Sequence, residues 1–246
     1  MSKMKELSEA EARHMKDVVI ELKIDGTRIT YKNGILKSDR EINRNDRFGH
    51  VLEELKVLNW HVRGEMAIPG GNVLQVNARE GWPKAKFFIF DLLEFSGSYQ
   101  YTRPLQERRE KTLSLIKALE FEHILIPQAF KTFDEGWDYV KQTGSEGLVL
   151  SDKHGIKYKV KHLKEEKLLI TGHEAGKSKG AFKILRNGVY GSVSGTSEAF
   201  VKQYFEMRNR GIEVYAEIEY AFITADGIPF QPRLRRIGTL EDLSTT

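Results

Sequence analysis

The 246-residue sequence predicts an α+β protein, with antiparallel sheets and flanking helices first and a smaller β-rich part after them. Three observations lead there. Strands and helices are mixed through residues 1–163, whereas five strands and a single helix fill residues 164–246. Asn33-Gly34 and Asn187-Gly188 mark tight hairpins, which join antiparallel neighbours. With 40% hydrophobic residues spread along its length, the chain can bury a real core.

Each element has its own signal. Ser8 with Glu11 is a capping-box pattern and predicts a short helix over 8–17. Residues 18–23 read as a buried strand, and 28–37 as a hairpin around Asn33-Gly34. Residues 48–58 have helical spacing, 62–68 form a strand, and 87–95 form an apolar, aromatic strand. An amphipathic, charge-laced helix covers 105–119. A strand at 124–130, a helix at 133–142 and strands at 148–151 and 156–161 complete the first part. The charged stretch 164–167 is the expected linker. Beyond it, strands are expected at 168–173, 182–185, 189–193, 214–223 and 234–237, with a helix at 198–210. Five strands and one helix in this length suit a small barrel of the oligonucleotide-binding type, an OB-fold.

Composition excludes several chemistries. The absence of cysteine rules out disulfides, thiolate nucleophiles and Cys-ligated zinc. The seven histidines lack the close pairing of a helical zinc site. Lys and Arg number 39 against 35 Asp and Glu, so a polyanionic partner would meet a basic patch and not a basic tail. The N-terminal stretch lacks the apolar core of a signal peptide, and no apolar run nears the ~20 residues that span a bilayer. A cytoplasmic protein with no membrane partner is expected.

The chemistry centres on Lys23-Ile24-Asp25-Gly26-Thr27-Arg28. Lysine amines become nucleophiles when desolvation or nearby positive charge frees them. The tight Asp25-Gly26 turn sets a carboxylate and an arginine beside the amine, a way to aim it at a phosphoanhydride. Downstream stand Glu65 in Arg63-Gly64-Glu65-Met66, Phe90-Asp91 in an aromatic strand, Glu146-Gly147, and Lys159-Val160-Lys161. Lys159 and Lys161 alternate with Tyr158 and Val160, so they share one face of a strand.

In these five motifs, which stand in order across 18–162, the sequence resembles the covalent nucleotidyltransferases, and within them the ATP-dependent DNA ligases in their minimal two-domain form. The resemblance implies an ATP-grasp-like adenylation domain over 1–163 and an OB-fold domain over 164–246. It implies that Lys23 attacks the α-phosphorus of ATP and carries AMP, with Asp25 beside it. Glu21 would read the adenine region, Arg28 the ribose or nick phosphate, and Glu65 the ribose hydroxyls. Phe90 would stack on adenine. Glu146 would bind Mg²⁺ or Mn²⁺, while Lys159 and Lys161 neutralise phosphates. Arg40 lies where these ligases grip the nick 5′-phosphate, with one extra residue between it and Ser38. Lys177 and Lys179, on a glycine-rich loop, would face a phosphate backbone; the spacing around them is one residue short of a P-loop.

The implied partner is nicked duplex DNA, and a monomer suffices. A terminal basic motif has its nearest counterpart in Arg233, Arg235 and Arg236, without the usual closing Asp-Lys. Because the motifs begin so near the first residue, a compact ligase of viral or small-genome type is expected. RNA ligases and mRNA-capping guanylyltransferases share the lysine and the Asp-Gly turn; Glu146-Gly147 favours DNA ligase. A binding module without catalysis is the reading from another class.

Overall fold

The computed structural model describes residues 4–100, 102–153, 155–176 and 180–244. The chain divides into two compact units, Met1–Lys161 and His162–Thr246. The first unit begins with β1 (Lys5–Glu6), α1 (Glu9–Arg13), β2 (Val19–Leu22), β3 (Thr27–Lys32) and β4 (Ile35–Ser38). There follow α2 (Gly49–Leu55), β5 (Trp60–Ala67), α3 (Val73–Asn77), a 3-10 turn at Arg79–Lys84, β6 (Lys86–Phe95) and β7 (Ser98–Tyr99). It ends with α4 (Leu105–Leu119), β8 (Ile124–Leu125), β9 (Ala129–Phe130), α5 (Phe133–Thr143), β10 (Gly147–Ser151) and β11 (Lys157–Lys161).

Local chemistry explains most of these boundaries. The Ser8 side chain accepts from the Glu11 N–H and the Glu11 carboxylate accepts from the Ser8 N–H, so the capping box starts α1. The helix ends sooner than expected, and Asp17 turns the chain with φ +53°. Asn33 and Gly34, both at positive φ, close the β3–β4 hairpin as their pairing predicts. The single strand expected at 124–130 is two strands in different sheets. Pro127, which has no N–H to give to a ladder, sits at the break.

Two sheets build this unit. One has the order β1-β11-β10-β2-β9, antiparallel except where β1 joins β11. The other has the order β4-β3-β5-β6-β7, antiparallel, with β8 parallel to β6. Each buries one face. Ile20, Leu148, Leu150 and Val160 of the first pack with Phe133, Trp137 and Val140 of α5. Ile29, Val62, Phe87 and Ile89 of the second pack with Val51, Leu52 and Leu55 of α2. By the period of two, the remaining faces are free to carry polar side chains.

The second unit holds β12 (Lys164–Glu174), β13 (Ala181–Arg186), β14 (Val189–Ser194), α6 (Glu198–Asn209), β15 (Tyr215–Tyr220) and β16 (Arg233–Gly238). Its strands form one antiparallel sheet, ordered β14-β13-β12-β15-β16, over a core that includes Ile170, Phe182, Ile184, Ile218 and Tyr204 of α6. The expected closed barrel is not what the ladders draw: among the described residues β14 and β16 are edges. Register shifts at Ile170/Gly172 and Glu217/Ile218 interrupt its ladders. The charged stretch 164–167 is not a linker either. It pairs with 217–220 as the first part of β12, and Glu166 there accepts from Arg186 and Tyr220.

Candidate active site

The site grows from the end of β2. The Lys23 N–H donates to the Gly147 carbonyl at 2.9 Å, which ties Lys23 to the start of β10. Lys23 Nζ then lies 2.5 Å from Glu146 Oε2, while Lys161 Nζ approaches Glu146 Oε1 at 3.3 Å. One mostly buried carboxylate therefore bridges two ammonium groups. The backbone permits this closeness only with glycine at two points. A Cβ on Gly26 would lie 2.3 Å from the Met66 carbonyl oxygen, and one on Gly147 (φ +148°) 1.9 Å from that of Val160.

The polar faces of the two sheets enclose a cavity of about 500 Å³. From the first sheet come Glu21, Lys23, Val149 and Lys157; from the second come Arg28, Arg63, Glu65, Phe90 and Asp91. Two consecutive arginines of α4 brace its wall. Arg109 Nε donates to Glu21 at 2.7 Å and its Nη2 to the Pro127 carbonyl at 3.1 Å. Arg108 is paired with Asp91. Buried carboxylates persist only with such charge-assisted partners. Arg28 Nε is 4.0 Å from Glu65 Oε2, and Arg28 Nη1 is 3.6 Å from Asp39. The buried Nε atoms of Arg28 and Arg63 have no hydrogen-bond acceptor among the described residues, which suits a ligand rich in acceptors.

Electrostatics follow burial. The Glu65 carboxyl is pushed up to about 7 by burial, against the pull of Lys23 and Arg28. Asp25 is raised by burial and then by the Glu146 charge. Lys157 is lowered by burial. Among the described residues no three His, Asp or Glu side chains converge as a protein-only metal cage. Glu146 is the carboxylate between the two lysines.

The structure thus gathers Glu21, Lys23, Arg28, Glu65 and Phe90 around one cavity, with Glu146 and Lys161 at Lys23. Lys159 is turned to Glu6 of β1, at 3.2 Å. Arg40 is exposed on the turn after β4 and does not line the cavity. Lys177 and Lys179 lie outside the described residues. Sequence reasoning missed Lys157 and Arg63; it read Leu105–Arg109 as a structural helix start but not the pairing of Arg108 with Asp91 and Arg109 with Glu21. The first two were detectable, since Lys157 shares a strand face with Lys159 and Lys161, and Arg63 with Glu65. The arginine pairs depend on how α4 folds back on the sheets, which no local signal carries.

No family model matches the sequence. No curated protein sequence matches it either. Its structural neighbours include DNA ligases, and the chain shares their fold. One is a Lig E DNA ligase, described as binding DNA with a minimal scaffold, with TM-score 0.69 and 16% identity over 97% of this chain and 100% of that one. Another is mycobacterial DNA ligase D complexed with ATP and MES, with TM-score 0.58 and 19% identity over 96% and 94% of the two chains. The ligase domain of M. tuberculosis LigD compares similarly, at TM-score 0.57 and 19% identity over the same shares.

Proposed function

We propose that the protein is an ATP-dependent DNA ligase that seals 5′-phosphate/3′-hydroxyl nicks through a lysine–AMP intermediate at Lys23. One observation carries the reading: Glu146 bridges Lys23 at 2.5 Å and Lys161 at 3.3 Å beside a cavity that also presents an aromatic ring and Glu65. On this reading a nucleophilic amine and a base platform would line the cavity, with a second cation for the phosphates beside it.

In the first step Lys23 gives up an ammonium proton to solvent, and its Nζ bonds to the α-phosphorus of ATP as the bond to the β-phosphate oxygen breaks and pyrophosphate leaves. The AMP then passes from nitrogen to a 5′-phosphate oxygen on the broken strand. Finally the 3′-hydroxyl attacks that activated phosphate, and AMP departs. Each step is a phosphoryl transfer, in which fixed positive charge supplies much of the stabilisation. Lys161 and, once released from Glu6, Lys159 would provide it. Phe90 would stack on adenine, Glu21 read its edge, and Glu65 hold the ribose hydroxyls, with Arg28 at the sugar or nick phosphate and Asp25 supporting Lys23.

Glu146 fits Mg²⁺ or Mn²⁺, because hard cations are commonly held by one or two carboxylates with substrate phosphates. Such an ion would offset phosphate charge. Residues 1–163 would act as the adenylation domain and 164–246 as an OB-type module. Arg40, Lys177 and Lys179 would touch nicked duplex DNA, bound by a monomer.

The test is covalent labelling with α-labelled ATP, followed by nicked duplexes of DNA or RNA. Wild-type protein should take the label and seal DNA. Lys23→Ala should fold and take none. Undiminished label in Lys23→Ala would eliminate this lysine, and sealing of RNA alone would make the enzyme an RNA ligase.

A further inference from the structure

Lys157 stands at the wrong end of β11 to serve the phosphates. At about 3.3 Å of rise per residue, four positions place it about 13 Å along the strand from Lys161. Lys161 is the member of the row that meets Glu146. The Lys157 ammonium lies instead over the Phe90 ring, 4.2 Å from its centroid, and 3.5 Å from the Phe90 carbonyl oxygen. The nearby carboxylates already have partners, Asp91 in Arg108 and Glu21 in Arg109. Arg28 also approaches the ring, but at 5.9 Å, and it is drawn toward Asp39 and Glu65. The aromatic face is thus the principal partner of a half-buried cation.

A stacked base would sit about 3.5–4 Å above the ring. That is the layer the ammonium fills. We propose that Lys157 is the resting occupant of the stacking face of Phe90, and that a nucleotide base must displace its ammonium to bind. Lys157 is then a determinant of nucleotide affinity that acts at the base end of the cavity and leaves the phosphate end untouched. The inference rests on the reading of Phe90 as the base platform. Burial lowers the Lys157 pKa, against the pull of Asp91 and Glu21.

Equilibrium binding in EDTA, which allows binding without covalent transfer, tests this with two probes. ATP has a base, and inorganic tripolyphosphate has only the phosphate chain. Lys157→Met keeps an apolar stem and removes the charge. It should bind ATP about three- to tenfold more tightly, the scale of one cation–π contact no longer lost on binding. Its affinity for tripolyphosphate should not move, and Lys157→Arg should restore the wild-type affinity for ATP. Unchanged or weaker ATP binding by Lys157→Met overturns the inference, as does an equal shift for both probes. If Lys157→Met does not fold, Lys157→Gln serves with the same expectations. Covalent labelling of the wild-type chain separates the two readings. Label at Lys23 without the Lys157 effect sinks this inference alone, whereas no label and no ATP binding sinks both.

Discussion

At the scale of single residues, the site is a set of charges held where water is scarce. Glu65 shows the cost. Its folded-state pKa of about 7 lies above the usual carboxylate value of 4.5, so the folded protein holds a proton there that the unfolded chain has lost. Stability should therefore fall as pH rises from about 4.5 to 7. Glu65→Gln should stabilise the protein at pH 8 by roughly 1–3 kcal/mol and do little at pH 4.5, as urea melts at the two pH values would show. The same variant should bind ATP more weakly, if Glu65 holds the ribose. Such residues were legible in the sequence because each sits inside a short ordered motif with its own chemistry. Lys157 has no motif of its own and was missed; only the alternation of β11 could have given it away.

Secondary-structure elements position those residues, and α4 does so through Arg108 and Arg109. Glu21 is only 4% exposed, so Arg109→Ala would leave a buried carboxylate without its cation. We expect a loss of about 3–5 kcal/mol, partly recovered in the double variant with Glu21→Gln, by thermal or denaturant melts. At the start of β10, Gly147→Ala should cost about 2–4 kcal/mol through a forced contact with Val160 and a strained φ, and should lose covalent labelling. Most elements could be read beforehand where periodicity or a turn pair was clear, as in α4, α5 and the Asn33-Gly34 hairpin. The 124–130 segment could not, because an apolar run says nothing about which sheet it joins. The charged start of β12 was misread for the converse reason: its polar side chains pair across strands, and charge alone resembles a solvated linker.

For the whole molecule, the change in strand and helix content lies near the point where the chain divides into Met1–Lys161 and His162–Thr246, while the openness of the second sheet was not legible. Closure depends on how strands bend at bulges, such as those at Ile170/Gly172 and Glu217/Ile218, and those are set by tertiary packing. A duplex gripped through its phosphates should be released by salt. Binding of nicked DNA should weaken by roughly a hundredfold or more between 50 and 200 mM salt, measured by fluorescence anisotropy. A flat salt response would point to contacts with bases or to no DNA grip at all.

The alternation of β11 ties two fates together. Val160 is packed in the core, and its neighbours Lys159 and Lys161 face Glu6 and Glu146. Because a slip of one position turns every side chain over, it cannot displace the lysines while leaving the core intact. Evolution cannot therefore tune this row gradually by sliding the strand. It can only exchange the side chains one at a time, and a poorly chosen residue at Val160 would disturb the core and the lysine row together.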